Sequence, residues 1–485
     1  MIREFYTDLI KYLPSKVIPG LFGIISITLF TRLFDPDEYG QYILIMSTIS
    51  MLSILGSDWI STSVIRFNPK YRNGNNDDVF IATVFGTTLV SASFLSLVFV
   101  IVILLLHPFT DIPLLVLMPV CVFILFMTVF FAVMLKILQS GRKVNQYSFM
   151  FLWRQVVCLL VGFGIVYYTN SGVRGMLVGI MIGLFLVSYP LFRMTFVKLY
   201  SSGMSRPLRN TIITYGFPLA ATNVFAWVLS LSDRYVIRYF RGDLEVGLYS
   251  ISYSIADRTI QLIVSLIILA SAPIAMDIWE KGDAEKTREF ITKLTKTYLI
   301  ICVPAAVGLS LLSRDLVKFL ATEEYFEGFR VMPYVALSVF LFGLQRNFQL
   351  GLLFFEKTRS IMLILVITGT LNIVLNILAV PSYGYLAAGV TTLISYLAFA
   401  TLIILESRKY FVWNFPFASL KNVLLGTTVM SLCVLAVLAL GIDHAGAKIV
   451  VSIISGMIVY SLMLILLKEI HFKSLKRMLV RGDPV

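Results

Sequence analysis

The sequence predicts an all-α integral membrane protein of about fourteen transmembrane helices, and three observations carry that prediction. Of 485 residues 58% are hydrophobic and only 14% charged, with a mean hydropathy of +0.88, far outside soluble globular usage. Apolar windows of about 20 residues, the length that crosses the hydrocarbon of a bilayer, recur along the whole chain. The connections between them are short and hold most of the Lys and Arg.

Read against Pro, Gly and charge breaks, the windows fall at 13–31, 40–64, 79–106, 113–138, 148–168, 174–194, 211–232, 247–275, 292–312, 330–354, 360–380, 385–405, 419–440 and 448–467. The first lacks a small-residue cleavage pattern after it and reads as a retained span. The second follows "DPDEYG", where Asp35 before Pro36 reads as a helix N-cap with Asp37 and Glu38 in the first turn. A catalytic acid of the kind kept by lipid-dependent glycosyltransferases is the competing reading of that turn. The windows at 360–380 and 385–405 are parted by "PSYG".

Composition also excludes function classes. The net charge of +13 comes from Lys and Arg in short connections, not from a basic face on a soluble domain, so nucleic acid is not an expected partner. Cys121, Cys158, Cys302 and Cys433 lie in apolar runs without CxxC spacing and read as packing residues. His107, His444 and His471 are scattered at segment ends, so neither a metal centre nor another cofactor is expected.

Sidedness follows from the basic residues. With the N-terminus in the cytoplasm, the cytoplasmic segments hold 28 of the 40 Lys and Arg and the opposite connections hold 9. Both ends are therefore expected in the cytoplasm of a cell whose cytoplasmic membrane the chain crosses many times. That count assigns Lys136 to a connection and leaves three basic residues inside spans: Arg154, Arg258 and Arg346. An ionisable side chain in hydrocarbon is costly and faces a protein interior or water, so these three are candidates for function.

An internal repeat organises the chain. "RLFDPDEYGQY" leads into the second window and "RYFRGDLEVGLY" into the eighth, matching Arg32, Phe34, Gly40 and Tyr42 with Arg238, Phe240, Gly247 and Tyr249. Pro14 and Pro218 sit early in the preceding windows. Six spans per repeat is an even number, so the two halves share an orientation, as in transporters built of parallel repeats around a central cavity. The expected domains are an N-lobe over 1–210 (helices 1–6), a C-lobe over 211–410 (helices 7–12) and an appended helix pair with a basic tail over 411–485.

The segment "LNIVLNILAVPSYGYLAAGVTTLISYLAFATL", residues 371–402, resembles the paired spans of the multidrug, oligosaccharidyl-lipid and polysaccharide exporter superfamily. "YYTNSGVRGMLVG" is its first-half counterpart, and with "TRLFDPDEYGQY" and "ISTSVIRF" the likeness to O-antigen and capsule repeat-unit flippases covers most of the first 405 residues. The resemblance implies two six-helix lobes and a lipid-linked sugar as cargo. It leaves the glycan unnamed.

Polar residues inside the windows supply the candidate site. Ser254, Arg258, Gln261 and Ser265 form one helical stripe, with Asp257 about 100° away from Arg258. A buried ion pair is the competing reading for Arg258. Gln345, Arg346 and Gln349 suggest a second wet face, Asn223, Trp227, Ser230 and Arg234 align on the seventh window, and Ser47, Ser50, Ser57 and Ser61 align on the second beside Asp58, before Arg66. Arg154 reads equally as structural or snorkelling. Thr368, Asn372 and Asn376 read as interhelical hydrogen bonding.

The expected function is therefore translocation of a lipid-diphosphate-linked oligosaccharide. Arg66, Arg154, Arg234, Arg258, Arg346, Gln261, Gln349 and Asn223 are the substrate-binding candidates, because guanidinium groups match phosphate oxygens. Asp58 and Asp257 are the ion-coupling candidates. The expected partners are a polyprenyl-diphosphate-linked glycan, membrane lipids and polysaccharide-assembly proteins such as a polymerase. A cation-coupled drug exporter on the same fold is the alternative, opposed by the excess of Arg over carboxylates in the spans. A membrane glycosyltransferase or polymerase would need a larger extracytoplasmic loop.

Overall fold

The computed structural model describes residues 14–469 apart from 74–76, 107–113, 142, 441 and 443. Arg3, Lys11, His107, Arg142, His471 and the basic tail after 469 lie outside the described residues. Every described element is helical: α1 Pro14–Leu33, α2 Pro36–Asn73, α3 Asp77–Leu106, α4 Leu114–Ser140, α5 Val144–Thr169, α6 Gly172–Ser202, α7 Arg206–Leu231, α8 Asp233–Arg241, α9 Asp243–Glu280, α10 Ala284–Leu311, α11 Ser313–Leu320, a 3-10 helix Glu323–Val331, α12 Met332–Phe354, α13 Thr358–Arg408, α14 Phe417–Ala439 and α15 Ala445–Leu466. Among them twelve are long and apolar enough to cross a membrane, and α1 contributes the shorter apolar stretch Ile18–Leu33.

One of the twelve is long enough for two crossings. α13 runs for 51 residues, yet the Thr391 hydroxyl donates to Asn376 Oδ1 at 2.7 Å. Fifteen residues of straight helix would hold those groups about 22 Å apart. The chain therefore reverses between them, at Gly384, whose φ of 63° and ψ of −153° favour a residue without Cβ. The two halves correspond to the windows at 360–380 and 385–405.

Local chemistry explains where helices start. Asp35 Oδ1 accepts the Glu38 amide at 2.8 Å and Pro36 opens α2, so the acidic turn is the N-cap its spacing predicts. Asp283 caps α10 in the same way, accepting from the Lys286 amide at 3.0 Å. Three expectations are corrected. α2 and α9 extend well past their apolar windows as 38-residue helices. The connections after 232 and 312 fold as the short helices α8 and α11 and the 3-10 helix, whose mixed polarity hides them from a hydropathy scan. α4 continues to Ser140 because nothing breaks it before Gly141, so Lys136, which the window 113–138 contains but the sidedness count gives to a connection, lies inside the helix.

The chain divides into two compact units, Met1–Gly247 and Leu248–Val485. In the first, Phe80, Phe85, Phe130, Phe131, Trp59 and Ile212 build the core, with Phe85 and Phe130 edge to face at 5.8 Å. α7 packs along α2 here: the Ser63 hydroxyl donates to Ile212 O at 3.0 Å, and a Cβ on Gly216 would lie 2.0 Å from Trp59 O. The division thus falls later than the repeat boundary expected near 210, since compactness follows packing and the repeat follows sequence kinship. In the second unit, α14 and α15 pack on α10 through Val423, Met430, Val434 and Leu299, and the Tyr460 hydroxyl donates to Ile300 O at 2.8 Å.

The repeat glycines meet within the first unit. A Cβ on Gly40 would lie 2.1 Å from Asp243 O, and one on Gly247 would lie 2.0 Å from Pro36 O. The first turns of α2 and α9 cross there backbone to backbone.

Candidate functional site

In the first unit the carboxylate of Asp58 is the centre of a polar junction. Asn223 Nδ2 of α7 donates to Asp58 Oδ2 at 3.0 Å, and the neighbouring Ser57 hydroxyl reaches Oδ1 at 3.4 Å. Lys136 of α4 lies within electrostatic reach of Asp58 and donates to Gln139 Oε1 at 2.9 Å. Asp58 is half-buried and Asn223 exposed, so the junction is open on one side. It joins α2, α4 and α7, three helices far apart in sequence. Lys136 and Gln139 were missed by the sequence reading; the signal that finds them is the apolar run through "FFAVMLKILQ", which carries the helix past the lysine.

The other cations of that unit are handled differently. Arg234 is buried and its Nη1 contacts Asp233 Oδ1 at 3.0 Å while donating to Ser230 O at 3.1 Å. Adjacent residues pair here because Asp233 opens α8, where its carboxylate also accepts the Arg234 amide at 2.8 Å. Arg154 of α5 is half-buried, with its guanidinium carbon 5.1 Å from the centre of the Phe131 ring of α4. Arg66 is exposed near the end of α2. Asn223, Trp227, Ser230 and Arg234 do not share one wet face, since Trp227 and Arg234 are buried. Ser47, Ser57 and Ser61 are likewise buried; Ser57 donates to Ser53 O at 2.7 Å, which makes that stripe packing.

In the second unit, α9 carries the polar stripe among apolar residues of like burial, Leu262, Ile263 and Leu266. Ser254, Arg258, Gln261 and Ser265 are all half-buried, while Ile255, Ala256, Ile260 and Val264 behind them are buried. Asp257 is also half-buried, and both it and Arg258 are engaged by neighbours. On α12, Arg346 and Gln349 are half-buried and one helical turn apart. The Arg346 guanidinium stacks on Phe342 at 5.5 Å and lies within electrostatic reach of Tyr298. Among the described residues no carboxylate pairs with it. Gln345 departs from the expected face: it is 1% exposed and donates to Phe342 O at 3.1 Å. Asn347 is buried against Thr295 at 3.2 Å.

The Asn-bearing segment of α13 forms a short relay: Asn376 Nδ2 donates to Asn372 Oδ1 at 3.1 Å, and Asn376 Oδ1 accepts from the Thr391 hydroxyl. All three are buried, and the Thr391–Asn376 bond fastens one arm of α13 to the other.

A family of polysaccharide biosynthesis proteins matches residues 29–330, more than half of the sequence. The chain belongs to the polysaccharide biosynthesis protein family. This family member is 22% identical, over 198 residues, to an uncharacterized membrane protein of Methanocaldococcus jannaschii, and the match spans about two fifths of each protein, 40% and 38%. Its fold is shared with the lipid II flippase MurJ in an inward closed conformation, with a TM-score of 0.71 at 16% identity over 94% of this chain and 98% of that one. It is also shared with an inward-facing multidrug resistance MATE family transporter of the MOP superfamily, with a TM-score of 0.66 at 12% identity over 80% of this chain and 94% of that one. These likenesses show that the chain shares the helical fold of those two membrane proteins.

Proposed function

We propose that this protein is a flippase, not an enzyme, and that it carries a lipid-diphosphate-linked oligosaccharide, a polysaccharide repeat unit such as that of an O-antigen or capsule, across the cytoplasmic membrane. The observation that carries the reading is the polysaccharide-biosynthesis family match on a fold shared with a lipid II flippase. The cation inventory supports it. Arg258, Arg346, Lys136 and Arg154 lie in helices long and apolar enough to span, where an ionisable side chain is costly and is kept for a reason. A diphosphate offers those cations charge-assisted hydrogen bonds; a cationic drug offers them repulsion.

In this reading Arg258 and Gln261 on α9 and Arg346 and Gln349 on α12 take the head group, and their exposure alternates between the two sides of the membrane. Both chain ends lie in the cytoplasm. An inside-negative potential favours outward movement of the anionic head group by about 2.3 kcal/mol per charge per 100 mV. Asp58, held by Asn223, and Asp257 are the groups placed to couple a proton or cation.

Proteoliposomes loaded with a lipid-diphosphate sugar test the reading directly. Protein-dependent flipping that is lost in Arg258→Ala while the variant still inserts supports it. Absence of flipping, together with efflux of a cationic dye, would replace it with the exporter alternative.

A further inference from the structure

Lys136 has a counterpart in the second repeat. "FFAVMLKILQ", residues 130–139, aligns with "FLFGLQRNFQ", residues 340–349, and pairs Phe130, Lys136 and Gln139 with Phe340, Arg346 and Gln349. The two segments occupy the fourth span of each repeat, on α4 and α12. A cation followed three residues later by Gln lies on one helix face in both. In the structure both cations are half-buried, and both glutamines are as well.

The surroundings differ in charge. Arg346 faces a ring and the Tyr298 hydroxyl. Lys136 sits where α2 and α4 are clamped on either side of it, by Gly56 against Val129, where a Cβ would approach to 2.9 Å, and by Asn68 Nδ2 on Ser140 Oγ at 2.6 Å. Asp58 falls within that interval of α2. Its carboxylate is turned to Asn223 at 3.0 Å and to Ser57, leaving the ammonium donating to Gln139. The Lys136 ammonium, held on Gln139, is still within electrostatic reach of Asp58.

We propose that Lys136 is an anion-binding residue of the first unit, equivalent to Arg346 in the second, and that Asp58 is its resident counter-charge, displaced from influence when a phosphate arrives. The ligand class, a lipid phosphate or diphosphate, rests on the flippase reading. A lysine suits this role because its ammonium is a point charge with rotatable donors, able to leave Gln139 for a phosphate oxygen. Asp58 keeps the empty position electrically balanced and opposes the incoming anion. Asn223 holds the carboxylate when Lys136 turns away from it.

The roles give Lys136 and Asp58 opposite signs in one experiment. Farnesyl diphosphate is titrated into the full-length protein in nanodiscs, with neutral farnesol as control, for wild type, Lys136→Gln, Asp58→Asn and the double variant, while thermal unfolding is followed in parallel. The expected result is about tenfold weaker binding for Lys136→Gln and about tenfold tighter binding for Asp58→Asn, with the gain abolished in the double variant. Two variants that both lower thermal stability and leave affinity alone would make this a structural ion pair and overturn the proposal. A gain from Asp58→Asn that survives loss of Lys136 would overturn it too. If wild type binds and flips a lipid diphosphate but Lys136→Gln is unaffected, only this assignment falls. If wild type neither binds nor flips one, the flippase reading falls first and the assignment with it.

Discussion

Gly40 and Gly247, equivalent residues of the two repeats, pack reciprocally: each faces the backbone carbonyl that opens the other's helix, Asp243 O for Gly40 and Pro36 O for Gly247. A methyl group at either position would sit at about 2 Å from an oxygen that cannot move without disturbing a helix start. Gly40→Ala and Gly247→Ala are each expected to cost about 1–3 kcal/mol by overpacking. Gly308→Ala, where a Cβ meets nothing within 4 Å, is the tolerated control. The double variant should cost less than the two singles together, because one separation of α2 from α9 relieves both clashes. Thermal unfolding of the four proteins in one detergent measures this; additive losses would mean that the crossings yield independently.

Asn376→Ala and Thr391→Val each remove one side of the hydrogen bond that ties the arms of α13. Both are expected to lower stability by about 0.5–2 kcal/mol, the range for polar fasteners within membranes. Thr401→Val is the comparison, since Thr401 is exposed and bonds only its own helix, at Leu397 O. Equal losses in all three would deny the hairpin bond any special role.

Glu469, beyond the end of α15, supplies a pH test. Burial raises its pKa, but hydrogen bonds from Lys296, Ser419 and Asn422 outweigh that and hold the carboxyl below the usual glutamate range. Lys296 Nζ lies at 2.8 Å and Asn422 Nδ2 at 2.8 Å. A depressed folded-state pKa gives stability that is present above the unfolded value near 4.3 and lost as pH falls through the folded value. Glu469→Gln should therefore melt about 1–2 °C lower than wild type at neutral pH, with the gap closing in acid below about pH 4. A gap that stays constant over that range would rule the ionised carboxylate out as its source.

Arg346→Gln is expected to slow flipping about tenfold, and Arg346→Lys to restore part of the rate, because lysine keeps the charge and loses the planar stack on Phe342. Initial rates in proteoliposomes separate the two. A lysine variant no better than glutamine would shift the weight from charge to guanidinium geometry.

Spans, repeat and the polar stripe as a pattern were legible because each is periodic. Ser254, Arg258, Gln261 and Ser265 needed only helical spacing, and "GQY" against "GLY" pointed to the residues that cross in space. What was not legible depends on tertiary partners or on helix ends. Arg234 looked like a cavity residue until Asp233 was seen to open α8 and fold back on it. Lys136 passed as a loop residue because the sidedness count gave a basic residue near a window edge to the connection, although the window 113–138 contains it; α4 runs on to Ser140. Gln345 and Gln349 share a turn in sequence, yet Gln345 is drawn inward by its bond to Phe342 O.

The reversal at Gly384 also bears on how the chain enters the bilayer during synthesis. Asn376 and Thr391 stand nearly equidistant from the glycine, eight residues before it and seven after. An arm bearing Asn372 and Asn376 would meet lipid with its amides uncovered if it partitioned alone, at several kcal/mol for each unsatisfied group. The neighbouring arm brings Thr391 to Asn376 through a turn built into the same helix, so the partner follows 15 residues later in the chain rather than after the remaining spans. The hairpin of α13 accordingly carries within itself the partner of its own buried amide, and a unit of two arms is the smallest piece of the chain that covers Asn376.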